Sequence, residues 1–433
     1  MRIHIMAVVV GLGTGLCAAA DLSGNWIAEV SRYGQPQYWR VSLEDQGGKL
    51  TGIWNASRIS GKVTGETIQF SVIEPDGRAG GSFTGSVTPE GIAGKGTLAA
   101  RGGGAQGELQ PGTLKMTRIP SPPAGGPKTW DFQPKEFYSF YSAAVPPALR
   151  IFPRDTVRTW TLDDNGIDAK LVRRSPGGNP QTGPFYIEGA VPGDTLVVKL
   201  NRVRLNRELG ESAGRVKANL LDPLLIGGMK YADRFDAQWA LDRNAGTARL
   251  LHPTDGLKNY VVPVKPMLGC IGTAPPFNQT IRALDLGPFG GNMDYNQMVE
   301  GATLYLPVFA PGAMLFLGDG HAAMGDGEVT FSAIETSLDV EFTVDLIKGT
   351  ASVGPRLENS EYLMSMGVTG SLMESVQVAT SQMANWLKSS YHLSENEAAV
   401  VLGTVAKYDI AEMVDPHYNV VAKIPKSALA NLK

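Results

Sequence analysis

The segments GGKLTG (47–52), SGKVTG (60–65) and GGSFTG (80–85) repeat one pattern, in which glycines suited to tight reversals flank short stretches of alternating apolar and polar residues. A chain that turns back about every ten residues has no room for long helices. Between two of these turns, TIQFSVI (67–73) alternates with the period of two that belongs to a half-buried strand. Residues 21–118 therefore read as a small antiparallel β domain of consecutive hairpins, curled into a barrel or a sandwich. Trp26, Trp39 and Trp54 fall at strand spacing and are expected in its core rather than along a ligand groove. The domain holds no cluster of ionisable side chains that could do chemistry.

A Pro- and Gly-rich stretch, IPSPPAGGPK (119–128), reads with Thr129 as a linker to a second domain over 130–433. There DTLVVKLNRV (194–203) and ATLYLPVF (302–309) are strand-like, and GEVTFSAIET (327–336) alternates well enough to bury one face. Helical signals gather near the end. Ser371 and Glu374 form a capping box ahead of an apolar stripe at Leu372, Val376, Ala379, Met383 and Leu387, and Ser394 with Glu397 opens another helix. The expected fold is mainly β, a β-rich α+β chain: a small antiparallel β-barrel or sandwich, then a β-rich domain with C-terminal helices covering a sheet.

Charge narrows the function. Lys and Arg total 39 against 42 Asp and Glu, a net charge of −3, with no basic stripe to neutralise phosphates, so nucleic acid is excluded as a partner. The first twenty residues, MRIHIMAVVVGLGTGLCAAA, place Arg2 before a short apolar run and a small-residue Ala18-Ala19-Ala20 end. This is the pattern of a cleaved export signal, and the run is too short for a membrane span. The expectation is a periplasmic or secreted protein whose mature chain keeps Cys270 as its one thiol and can form no internal disulfide. A homo-oligomer is left open.

The stretch GDGHAAMGDGE (318–328) packs Asp319, His321, Asp326 and Glu328 between two hydrophobic runs. Glycines at 318, 320, 325 and 327 suggest a strand, a turn, an irregular loop and a second strand, with the polar side chains emerging on loops at strand ends. Carboxylates and a neutral imidazole are metal ligands, and a cation relieves their mutual repulsion. The bland reading weighs about equally on spacing alone: Asp-Gly pairs form Asx turns, and His321 is a hydrogen-bonded structural histidine.

Residues 286–335, LGPFGGNMDYNQMVEGATLYLPVFAPGAMLFLGDGHAAMGDGEVTFSAIE, closely resemble the core of the acetamidase/formamidase family of amide hydrolases. NPQTGPFYIEGAVPGDTLVVKL (179–200), DTVRTWTLDDNGID (155–168) and VVPVKPMLGCIGTAPP (261–276) resemble further segments of that family in the expected order, so the resemblance runs from about residue 130 to the end. It implies a β-rich amidase that releases ammonia from small-molecule amides, with a divalent metal, zinc first and calcium or another divalent ion as alternatives. The family's Thr-x-Asp acid falls on Asp163, its GGNMD loop on Gly290, Gly291, Asn292, Met293 and Asp294, its GD-x-H segment on Asp319 and His321, its GDGE turn on Glu328, and the next strand's acid on Glu335. Cys270 stands where an aliphatic residue is usual, and 204–260 matches no motif.

Amide hydrolysis needs an activated water, an electrophile on the carbonyl oxygen and a proton for the departing nitrogen. On the resemblance, Asp163, Asp319 and His321 are assigned as metal ligands and Glu328 as general base and acid. Asn292 is assigned as catalytic, with Gly290, Gly291 and Asp294 lining the substrate wall. The acids are interchangeable at this point, and Asp294, Asp326 and Glu335 stand in reserve as ligands. A Cys270 nucleophile lacks a histidine in recognisable context, and no G-x-S-x-G elbow occurs between 130 and 433. The alternative function is a non-catalytic surface protein that binds glycan or a partner and uses the amidase-like domain as scaffold.

Overall fold

The computed structural model describes residues 21–100, 107–231 and 236–432; the expected export signal lies outside them. The chain divides into two compact units between Ile119 and Pro120.

In the first unit, eight antiparallel strands run in sequence from Gly24–Arg32 to Leu109–Arg118, and the first pairs with the last to close a barrel. Closure removes the exposed edges that a sandwich would leave. Two-residue reversals at Gly47-Gly48 and Gly65-Glu66 follow the repeated sequence pattern, and Gly47, Gly48 and Gly65 all have left-handed backbone. The barrel is filled, not hollow. Trp26 and Trp54 are buried among Leu43, Phe70, Phe83 and Met116, Trp39 is partly buried against them, and Trp54 stacks on Phe83 with centroids 5.6 Å apart.

The second unit is built on two large mixed sheets, one of eleven and one of nine strands. Leu196, Val198 and Phe342 of the nine-stranded sheet share a core with Phe185, Leu315 and Leu317 of the other, and the Phe185 and Phe342 rings meet edge to face at 5.2 Å. The helix Leu372–Tyr391 lays Ala379, Met383 and Leu387 on Leu363, Ala422 and Ile424 of the nine-stranded sheet, as its apolar stripe dictates. Ser394 and Glu397 form the reciprocal capping box at the helix Glu395–Val405. The expected Ser371–Glu374 capping box does not form: Ser371 occupies the N-cap position without a side-chain bond, and its backbone N–H, which Glu374 would accept in such a box, donates to Thr369 Oγ1 at 3.2 Å. No helix among the described residues is long and apolar enough to cross a membrane.

Candidate functional site

The strand Leu315–His321 lies inside the eleven-stranded sheet, hydrogen-bonded to Gln181–Ile187 on one side and Met267–Gly272 on the other, and all seven of its residues are buried. Asp319 and His321 turn to the same side, both over Gly269 of the neighbouring strand. This corrects the expectation of loop-borne ligands. Gly318 and Gly320 are not turn formers here: a Cβ at 318 would lie 2.8 Å from the Pro180 carbonyl oxygen, and one at 320 would lie 2.6 Å from that of Thr336. They let neighbouring strands approach, while Asp319 between them takes a left-handed φ of 57°.

The expected strand at 327–336 is also corrected. Glu328 and Phe331 adopt left-handed φ values of 43° and 59°, and Ala333 folds back to donate its N–H to Glu335 Oε1 at 2.7 Å. Only Glu335 and Thr336 enter the sheet, and Glu335 lands directly opposite His321. Alternation was present in the sequence, but the local hydrogen bonds won.

Asp294 arrives from another direction. After the short strand Gly290–Asn292, the N–H groups of Met293 and Asp294 both donate to the Gly269 carbonyl, and Asp294 turns inward at a φ of 39°. Gly269 forms the floor: a Cβ there would sit 2.5 Å from oxygens of both Asp294 and Asp319 and 2.9 Å from the His321 ring. Only glycine leaves room for them to converge.

The result is three overlapping groups whose ligand atoms lie within 4.8 Å of one another: Asp294, His321 and Glu328; Asp319, His321 and Glu335; Asp294, Glu412 and Asp415. His321 Nε2 is 3.1 Å from Glu335 Oε2 and 3.4 Å from Asp319 Oδ1, and its Nδ1 is 3.9 Å from Asp294 Oδ1. Four carboxyl groups thus stand around one imidazole and two more join them through Asp294, all of them buried.

Such an arrangement is electrostatically costly. Burial first, then the charges of neighbouring acids, pushes the carboxyls of Asp294 and Glu328 well above the ordinary carboxylate range. Asp415 is pushed up to about 8 by burial and then Glu412, and Asp164, half-buried beside the cluster, to about 9 by burial and then Glu335 and Asp319. Burial works to lower the His321 pKa, but Glu335 and Asp319 together outweigh it and hold it well above the usual value. Both oxygens of Asp294, Oδ1 of Asp319 and Asp415, Oε2 of Glu335 and Glu412, and Nδ1 of His321 have no hydrogen-bond partner. Buried polar atoms are otherwise nearly always paired. Orphaned oxygens and an imidazole nitrogen converging over a glycine floor fit a divalent cation as the missing partner.

Of the residues singled out in the sequence, Asp294, Asp319, His321, Glu328 and Glu335 meet in this cluster. Asp163 does not. Its carboxylate accepts from Arg207 Nη2 at 2.7 Å and from the Ile167 N–H at 2.8 Å, both side chains buried, so it neutralises a buried guanidinium instead of facing the cluster. Asp326 also lies outside, accepting from Asn296 at 2.6 Å in an exposed bond. Gly290 and Gly291 sit in a buried strand paired on both sides, where Cβ atoms would strike Ile271 O and Asp285 O at 2.4 and 2.5 Å. Their backbone serves the sheet ladder, not a substrate wall. Asn292 has its amide committed: Oδ1 accepts from Asn179 and from the Cys270 thiol, and Nδ2 donates to Asp415 at 2.6 Å.

Sequence reading missed Glu412, Asp415 and Asn179. Glu412 and Asp415 stand in EMVD, where Glu412 Oε1 accepts the Asp415 N–H, and in sequence this looks like any acidic turn. Asn179 begins the NPQTGP segment and carried its signal only by that position.

The Asp163 correction has a measurable consequence. Asp163→Asn should strand the Arg207 charge in the interior and lower unfolding stability by roughly 3–5 kcal/mol in denaturant titration, while cation binding by the folded protein stays within about twofold of wild type. A stable variant with weakened cation binding would restore Asp163 to the ligand set.

Residues 278–428 match the model of the acetamidase/formamidase family. An acetamidase of Mycolicibacterium smegmatis is 48% identical over 268 residues, a match spanning 47% of this chain and 64% of that relative's length. Crystal structures of acetamidases from Yersinia enterocolitica and Bacillus halodurans superpose with TM-scores of 0.60 and 0.58 at 29% and 27% identity, covering 70% and 69% of this chain and 94% and 98% of theirs. In sequence across the segments that build the cluster, and in fold across the two-sheet unit, the chain is similar to members of the acetamidase/formamidase family.

Proposed function

We propose that this protein hydrolyses small carboxamides of the formamide and acetamide type to carboxylate and ammonia, that it does so outside the cytoplasm, and that the cation it uses is zinc. The observation that carries the reading is the set of unpartnered buried oxygens around His321, donated by segments that the chain shares with amidases. Burial supports a small substrate, since every member of the three groups is less than a tenth exposed.

His321 and Asp319 with Glu335, or with Asp294 as neighbour, would hold the ion. When bound, it would lower the pKa of a water and polarise the amide carbonyl. The chain's own residues do the rest. Glu328, its carboxyl raised by burial and by Asp294, stands in one group with His321 and Asp294, where it is placed to take a proton from water and return it to the departing nitrogen. The surrounding apolar core, with Met293 and Leu268 fully buried, excludes bulk water. Asn292 and Asn179 hold the carboxylates in place instead of touching substrate.

The test is ammonia release from formamide, acetamide and progressively longer amides, by protein recovered from the export fraction, with and without a chelator. Activity should fall with acyl length and vanish on chelation, and the recovered protein should titrate for the single thiol of Cys270. Ammonia release unaffected by metal stripping would remove the cation from the mechanism. Recovery only from the cytoplasm, with two thiols, would remove the export signal.

A further inference from the structure

Asn179 is buried, has a left-handed φ of 54°, and is held at both backbone ends: its N–H donates to Asp164 O at 3.2 Å, and its carbonyl accepts from Gln181 Nε2 at 2.7 Å. Asparagine tolerates this backbone better than most residues. Its Nδ2 points at two acceptors, Asp319 Oδ2 at 2.9 Å and Asn292 Oδ1 at 3.0 Å. Both are oxygens, which fixes the amide orientation, since an oxygen in that place would face two lone pairs. Asp319 is thereby divided. Oδ2 is engaged by the amide, while Oδ1 has no hydrogen-bond partner and lies 3.4 Å from His321 Nε2. Through Asn292, whose Nδ2 donates to Asp415 Oδ2 at 2.6 Å, the same amide also sets the orientation of a carboxylate in the neighbouring acidic group.

We infer that Asn179 is a positioning residue which commits one oxygen of Asp319 and the amide of Asn292 to the protein, leaving the other Asp319 oxygen, and through Asn292 that of Asp415, turned toward a divalent cation. The inference rests on the metal reading given above. A neutral donor is what the position requires: an apolar side chain would leave Asp319 Oδ2 and Asn292 Oδ1 unpaired, and a carboxylate would repel Asp319.

The experiment is titration of chelator-stripped, full-length protein with Zn2+ alone, in competition with a chromophoric chelator, for wild type, Asn179→Ala and Asn179→Asp. Near-UV circular dichroism of the stripped proteins reports whether packing is kept. Asn179→Asp preserves size and shape but cannot donate when ionised, so it separates donation from packing. Both variants should bind Zn2+ about 10–100-fold more weakly, the range for losing an outer partner of a metal ligand. Binding by Asn179→Asp as tight as wild type or tighter would overturn the inference, whatever Asn179→Ala does. Failure of the unmutated chain to bind Zn2+ would instead overturn the metal reading itself, and the two failures are told apart by the wild-type titration.

Discussion

Glu328→Gln should lower turnover on a small amide by roughly 10²-fold or more, the range for a lost general base, while the protein still binds its cation. The substitution keeps the shape of the side chain and removes its ability to accept and return a proton. The group formed by Asp319, His321 and Glu335 is untouched by it, which is why the ion should stay. Steady-state ammonia release and metal content by mass spectrometry, measured on one preparation, decide the matter. Normal turnover would remove Glu328 from the chemistry. Loss of turnover together with loss of the ion would make it a ligand through the group it forms with Asp294 and His321.

His321→Ala should lose cation and activity together. His321 belongs to two of the three groups and supplies the one nitrogen among six carboxyls, so its removal both deletes a ligand and leaves the acids to repel one another. The weakening should exceed the ~10–100-fold expected for an outer partner such as Asn179. Stripping the ion from the wild-type protein has a related signature in stability. The folded-state pKa of Asp164 is raised to about 9 and that of Asp415 to about 8, so the native protein binds protons that the unfolded chain has released. Their contribution to stability is therefore full below the ordinary carboxylate pKa of about 4. It is lost as pH rises through about 8 to 9. Cation-free protein should become easier to unfold in urea between about pH 5 and pH 8, and saturating Zn2+ should flatten or reverse that slope by stabilising the ionised carboxylates. A fully active, metal-free His321→Ala protein would return residues 318–328 to a structural role.

What the sequence determined by itself was whatever a short period or a local pattern encodes. Glycine reversals separated by alternating stretches allow little but consecutive hairpins, so an antiparallel N-terminal unit and the burial of Trp26 and Trp54 could be read directly, while its eight strands and its closure as a barrel instead of a sandwich are seen only in the fold. The stripe ahead of Leu387 and the Ser394–Glu397 box fixed the two longer helices for the same reason. The resemblance to amidases supplied Asp294, Asp319, His321, Glu328 and Glu335. Tertiary structure decided which acids meet. Asp163 and Asp164 are adjacent, yet a buried Arg207 from the bend between the strands Thr195–Leu205 and Leu209–Ala213 claims the first, while burial and the charges of Glu335 and Asp319 raise the pKa of the second. Gly318 and Gly320 look like turn residues in sequence, but the backbones packed against them make them strand residues. Asn179 lies far in the chain from Glu412 and Asp415, and all three lie far from the residues whose orientation they share. Their roles are set by hydrogen bonds across as many as 140 positions, as between Asn179 and Asp319, and no local pattern records such a distance.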